Sequence, residues 1–450
     1  MNASKTFLGV IVVWLLAGTF VSIFAVPVAA QYGPLLSGVG PINRSMAGAS
    51  TAAPLSSSGA LLWNPATLSG LSSAELEFGV ELLIPHTNMA SSVPANTFGS
   101  GFPPINLSGS TDNQDAVFAL PTVGLAYRPK DTPLTLGLGI FAIAGFGLDY
   151  PGSATNPVLT APAPNGLGFG PIFSQYQVLQ IAPALVYDVN DQLAVSFSPL
   201  LDLGMLQLDP AVIAAPDDAN GDGFPTYPRG THSRTAWGSG FSVGAYYKAC
   251  DWDYGVSYKS PQWFQSYRFN TTNELGMPRS AQFGLDLPAI ISFGTAYKGI
   301  EDVLLAADLR YINFSSTKGF GDSGFDPSGA LRGVGLESIF ALALGAQIRM
   351  TDALFARMGY SWNENPISDS QASASVATPI IIEHMLSGGA SYQATKALSL
   401  SFAYQHGFEN SIRGPIVLPA GAIPGTSITN TASVDSFLFG ASVKFGPTKN

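Results

Sequence analysis

The chain has 450 residues, of which only 11% are charged and 46% are hydrophobic, with a formal net charge of −10. A soluble domain carries about 25% charged residues, so much of this surface faces something other than water. The 20 Lys and Arg residues are too few and too scattered for nucleic-acid binding, and 49 Gly with 33 Pro argue for strands and turns over long helices.

Lys5 precedes an apolar run over 7–26, which ends in the small residues Val28-Ala29-Ala30. This pattern is that of a secretory signal peptide cleaved after Ala30. The plainer alternative is an uncleaved anchor. Beyond it no unbroken apolar run of 18 residues occurs, so no helical span is expected. An exported, charge-poor chain without helical spans is a secreted β-protein or a barrel of an outer membrane.

Residues 31–73 lack strand periodicity. They hold Arg44 and the triplet Asn64-Pro65-Ala66, and they are too apolar to float in the periplasm. They are expected to fold into a lumen as a hatch. Pro65 fixes φ and removes a donor, while Asn64 bonds the turn it opens. From residue 74 to 450 the chain reads as the barrel. Leu193, Val195 and Phe197 share one face of a strand, with Ala194, Ser196 and Ser198 on the other. Leu398, Leu400, Phe402 and Tyr404 oppose Ser399, Ser401 and Ala403 in the same way. Such alternation marks β-strands with one apolar face.

Fourteen strands are expected, near 74–86, 115–128, 132–145, 175–188, 191–205, 234–249, 251–269, 281–298, 302–314, 335–350, 352–362, 382–394, 396–408 and 434–446. Tight links at 128–132, 188–191, 249–251, 298–302, 350–352 and 394–396 alternate with long ones at 86–114, 146–174, 206–233, 315–333, 363–379 and 408–433. Outer-membrane barrels alternate in this way, with short periplasmic turns and long external loops. A lumen of this size has room for a plug. The fold class is therefore all-β, a transmembrane antiparallel barrel of about 14 strands with an N-terminal hatch.

The third strand carries Gly137, Gly139, Gly145 and Gly147. Gly-rich stretches interrupt ladders, so Gly145 and Gly147 are the candidate positions for a lateral opening. The plainer account is that they make room for the hatch. In an external loop, Asp218, Asn220 and Asp222 copy the start of a calcium loop, but Arg229 stands where the closing Glu belongs. The plainer account is an Asp/Asn/Gly turn in an external loop. Cys250, the single cysteine, sits in a tight turn and forms no internal disulfide. Arg310 and Arg357 fall on the lumen face of their strands and are candidates for an anionic head group, against a structural salt-bridge role.

These segments resemble the long-chain fatty-acid transporter family of outer-membrane proteins (FadL/TodX-like). The resemblance is carried in order by Arg44-Ser-Met-Ala-Gly-Ala-Ser50, Asn64-Pro65-Ala66, 121–127, 181–190, Leu287-Pro288 with 294–297, 357–367, 384–392 and 398–404. It covers nearly the whole mature chain. It implies a fourteen-stranded barrel in the outer membrane, an N-terminal hatch, an inward kink of the third strand and passive uptake of hydrophobic molecules. His384 occupies a slot where the family tends to carry a basic residue, which makes it a third ligand-contact candidate. One departure is that such barrels end on an aromatic residue, whereas Phe445 is followed by Gly446 and four more residues.

The expected partners are fatty acids or other hydrophobic small molecules, with membrane lipid and lipopolysaccharide around a monomer; no cofactor and no nucleic acid are expected. The rival readings are an aromatic or alkane hydrocarbon channel of the same family, an outer-membrane lipid hydrolase, and a general porin. No nucleophile-elbow pattern accompanies the four His residues, which weakens the hydrolase.

Overall fold

A computed structural model describes residues 32–114 and 117–446; the signal peptide expected over 1–30 lies outside the described residues. Fourteen long strands form the wall. The first seven are β1 (Ala74–Val93), β2 (Phe118–Tyr127), β3 (Leu134–Tyr150), β4 (Ile172–Asp188), β5 (Leu193–Asp209), β6 (Ala236–Lys248) and β7 (Trp252–Lys259). The rest are β8 (Ala289–Ile300), β9 (Val303–Asn313), β10 (Ile339–Arg349), β11 (Leu354–Asn363), β12 (His384–Gln393), β13 (Leu398–Gly414) and β14 (Ser427–Phe445). Each is antiparallel to the next. β14 returns to β1 from Ala74↔Phe445 to Ser92↔Ser427, so the sheet closes with no free edge.

Alternation sets what each face meets. On β13, Leu400, Phe402 and Tyr404 are exposed while Ser399, Ser401 and Ala403 are buried. On β14, Phe437, Phe439, Val443 and Phe445 point out and Ser436 and Ser442 point in. The outward set continues around the wall through Val195, Phe293, Leu309 and Leu344. A continuous apolar band of this kind is unstable in water and matched to lipid. Among the described residues no helix is long and apolar enough to cross a membrane; the strands do so.

Links of two to six residues join the strands at one end, and links of 12 to 29 residues at the other. The short-turn end is periplasmic by this asymmetry. β7 and β8 are shorter than the sequence reading expects. The ladder breaks at Ser260-Pro261, resumes briefly where Trp263 and Phe264 pair with Ser239 and Gly238 of β6, and the chain then builds a hairpin, Tyr267–Thr272 with Pro278–Phe283, in the external loop. Pro261 supplies no ladder donor, and the hairpin itself alternates, so periodicity alone runs through the break.

Residues 32–73 lie inside the wall and are almost wholly buried. They form a turn at Tyr32–Leu35, helix α1 (Gly40–Ser45), helix α2 (Ser57–Trp63) and a 3-10 turn at Pro65–Gly70. Ser56 caps α2, accepting from Gly59 N at 3.2 Å. Asn64 ends it in an extended conformation, and Pro65 opens the next turn.

Candidate transport path

The hatch is held by carboxylates of the wall. Glu75 accepts from Ser57 N at 3.0 Å, and Glu77 accepts from Ser58 N at 3.1 Å and Ser58 Oγ at 2.7 Å. Glu81 pairs with Arg44, a fully buried residue that also donates to Ser37 Oγ at 2.6 Å. Across the lumen, Asp308 accepts from Ser50 N at 2.8 Å, Thr51 N at 2.9 Å and Thr51 Oγ1 at 2.8 Å. Glu75 and Glu77 satisfy orphan N–H groups at the start of α2, where negative charge is favoured, while Asp308 satisfies those of the irregular segment at Ser50-Thr51. Sequence reasoning passed over the three glutamates. The signal was present: Glu75, Glu77 and Glu81 share one face of a strand in a charge-poor chain.

Asn64 joins hatch to wall as its Nδ2 donates to Thr51 O at 2.8 Å and to Ala245 O of β6 at 3.0 Å. Its Oδ1 accepts from Ala66 N at 3.2 Å, and Pro65 and Ala66 are buried beneath it. Arg310 donates to Asp308 at 2.6 Å and to Gly48 O at 2.8 Å, and lies 3.8 Å over the Trp63 ring. Arg357 sits near the periplasmic end, donating to Gln347 Oε1 and Ser391 Oγ at 2.7 Å each. It lines a cavity of about 170 Å³ under the hatch with Glu75, Gln393 and Lys444. His384 points outward, 2.7 Å from the Tyr360 hydroxyl, away from the lumen. The three ligand candidates are thus in three places: the hatch contact, the periplasmic vestibule and the outer rim.

A fourth lumen cation escaped the sequence reading. Lys259 is buried, lies 5.9 Å over the Trp63 ring, and donates to Gln180 Oε1 at 3.5 Å. Among the described residues no carboxylate comes within 4.0 Å of it.

The wall is interrupted at β3. β2 and β3 pair from Tyr127↔Leu136 to Thr122↔Phe141 and then part, although β2 continues to Phe118 along β1. Among the described residues, the next hydrogen bond between these segments runs from Gln114 N to Asp149 O, at 3.0 Å. Between those points β3 bulges at Ile143 and every residue from Phe141 to Leu148 is buried, so this half of the strand lies inside the barrel. The hatch takes the vacated edge. Leu36 N donates to Ile143 O at 2.9 Å and Gly145 N to Pro34 O at 2.8 Å. Gly145 and Gly147 both fall in this inward stretch.

Outside, the long loops enclose an apolar pocket of about 250 Å³, lined by Val158, Phe169, Ile172, Val212, Leu331 and Ile416 among others. A cavity of about 150 Å³ accommodates benzene, so this one has room for a substituted ring. Its wall includes Tyr227, whose hydroxyl burial pushes up to about 12 and which donates to Gly329 O at 2.8 Å. The calcium-like loop is knotted on itself. Asp218 accepts from Gly223 N at 3.0 Å, and Asp222 accepts from Asn220 Nδ2 at 3.1 Å. Among the described residues no group of His, Cys, Asp or Glu is arranged for a metal ion.

Residues 19–446 match the family model described as outer membrane protein transport protein (OMPP1/FadL/TodX). The chain belongs to this family. The OMPP1/FadL/TodX barrel here is accordingly an outer-membrane transport protein. Similar solved structures include a Pseudomonas aeruginosa FadL homologue, at TM-score 0.68 and 17% identity, covering 92% of this chain and all of that one. The Pseudomonas putida toluene transporter TodX follows at TM-score 0.66 and 17% identity, with 91% of this chain and 99% of that one covered. The Ralstonia pickettii toluene transporter TbuX matches at TM-score 0.62 and 19% identity, again over 91% and 99%. No curated protein sequence matches the chain.

Proposed function

We propose that this FadL/TodX barrel takes up apolar small molecules passively, capturing them in the loop pocket and releasing them sideways into the membrane between β2 and β3. The observation that carries the reading is the parted β2–β3 ladder, with its inner edge bound by the hatch at Pro34 and Leu36. Release into the periplasm would expose the cargo to water at about 0.8 kcal/mol per methylene, which a sideways exit avoids. The likeness to the toluene transporters TodX and TbuX supports a hydrocarbon cargo. Commitment of Arg44 and Arg310 to Glu81 and Asp308 favours the same uncharged class. The fatty-acid reading has its own support in Lys259, a buried cation without an ion-pair partner.

The working unit is a monomer surrounded by outer-membrane lipid and lipopolysaccharide, since one chain closes the barrel by itself. Its hatch is taken as 31–73, after removal of residues 1–30; an intact mass beginning at Gln31 checks the cleavage.

Replacing Gly145 and Gly147 together by Val crowds a stretch that is buried on every side. Uptake of labelled toluene or oleate by cells making the double variant should fall about tenfold or more, with the barrel still resisting unfolding in detergent at room temperature. Wild-type uptake in that variant contradicts the sideways route. A hydrolase would instead release fatty acid from phospholipid vesicles, and absence of such release from the purified protein separates the two classes.

A further inference from the structure

Three phenylalanines of this chain stand between two glycines: Gly145-Phe146-Gly147, Gly168-Phe169-Gly170 and Gly319-Phe320-Gly321. They are far apart in sequence, and two of them, Phe146 and Phe320, meet at Tyr176. Phe169 lines the loop pocket. Phe320 packs edge-on against Tyr176 with ring centroids 6.0 Å apart, and Phe146 packs on the same tyrosine at 5.2 Å. Tyr267 completes the group, edge-on to Tyr176 at 6.2 Å.

Strand β4 gives the depth of each. Its lumen face carries Ile172, which lines the loop pocket, then Tyr176 four residues deeper, then Val178. Val178 stands opposite Ala144, where β3 has left the wall and bridges to Leu35 of the hatch. The aromatic group therefore separates the entry pocket from the parted ladder. All four rings are almost completely buried against one another and their surroundings, so cargo passes only when a ring moves.

The four rings differ in what holds them. Phe146 and Tyr176 are direct partners in the β3–β4 ladder, and Tyr267 begins the hairpin with 278–283. Phe320 is on no strand. It sits in a turn of the loop 314–338, after Gly319 at φ +80° and before Gly321. That turn is hydrogen-bonded, Gly321 N to Thr317 O and Leu336 N to Phe320 O at 2.7 Å each, but it belongs to no strand. Phe320 is thus the ring whose displacement opens no strand ladder, and it vacates the width of one phenyl ring.

We propose that Phe320 is the movable member of a steric sieve, framed by Tyr176, Phe146 and Tyr267, which selects cargo by cross-section. An alkyl chain or a single aromatic ring fits the vacated width. A fused polycycle needs a second ring to move, and the others are tied to hydrogen-bonded strands. The inference rests on the route proposed above, from loop pocket to the β2–β3 break.

The test compares initial uptake of labelled toluene and labelled phenanthrene by cells making the wild type, Phe320→Ala, Phe320→Trp or the Gly145→Val/Gly147→Val double variant. Phe320→Leu serves as well where the alanine variant assembles poorly. Phe320→Ala should raise phenanthrene uptake relative to toluene about tenfold, and Phe320→Trp should slow toluene by a similar factor. A cargo ratio unchanged by Phe320→Ala, Phe320→Leu and Phe320→Trp, with wild-type toluene uptake still blocked by the glycine double variant, overturns the sieve and leaves the route standing. Toluene uptake that the double variant does not reduce overturns the route, and the sieve with it.

Discussion

Arg310 and Lys259 face the same lumen and approach the same indole ring of Trp63, yet Arg310 is paired directly with a carboxylate whereas Lys259 reaches Asp202 only through Gln180. Breaking a buried ion pair by removing one partner costs about 3–5 kcal/mol, because the other charge is left behind. Arg310→Ala should therefore loosen the hatch and impair handling of every cargo alike. Lys259→Met removes a cation with no carboxylate in direct contact, so its effect should depend on the cargo. If fatty acids are carried, it should weaken binding of oleate about tenfold or more while leaving methyl oleate within about twofold, since a hydrogen bond to a charged group contributes about 1.5–3 kcal/mol. Equal effects on acid and ester, measured by ligand titration of the purified protein, would return Lys259 to a structural role. That difference between two lumen cations was not legible in the sequence. Alternation assigns a face to Arg310, but the identity of its neighbour Asp308 as a hatch anchor depends on a contact with Ser50 and Thr51, some 257 residues away in the chain. His384 failed in the simpler way, because the parity of its strand sets it outside.

At the scale of elements, the hatch and the wall are joined through side chains and not through a sheet, except at β3. Asn64 is the junction whose loss is easiest to read. Replacing it by Ala leaves Thr51 O and Ala245 O without their donor, at about 1–3 kcal/mol for each unsatisfied group. The barrel ladders are untouched by that change. Asn64→Ala should accordingly assemble normally but admit arabinose in a liposome-swelling assay, where the wild type excludes it. Exclusion by the variant as well would count against Asn64 as a lock. The strands themselves were readable because lipid on one side and hatch on the other impose a strict period of two. The hairpin at 267–283 obeys the same period in the loop, which is why residues 260–269 and 281–288 read as wall. The inward turn of β3 was legible only as a glycine excess; the partner that satisfies its edge, the Pro34–Leu36 segment, has no pattern of its own.

For the whole molecule, closure of β14 on β1, an apolar band around the outside and a lumen filled by residues 32–73 describe a barrel that blocks water-filled passage while leaving an apolar way in and a gap in the wall. These properties separate it from a general porin, which has the same outer face but an open lumen. The measurement that bears most directly on this account is initial uptake by cells whose outer membrane carries the protein, compared with cells that lack it, using labelled toluene, labelled oleate and labelled arabinose side by side. Faster entry of one or both hydrophobic cargoes, with arabinose unchanged, is the result expected. Faster arabinose entry, or no gain for either hydrophobic cargo with the barrel correctly assembled, would contradict it.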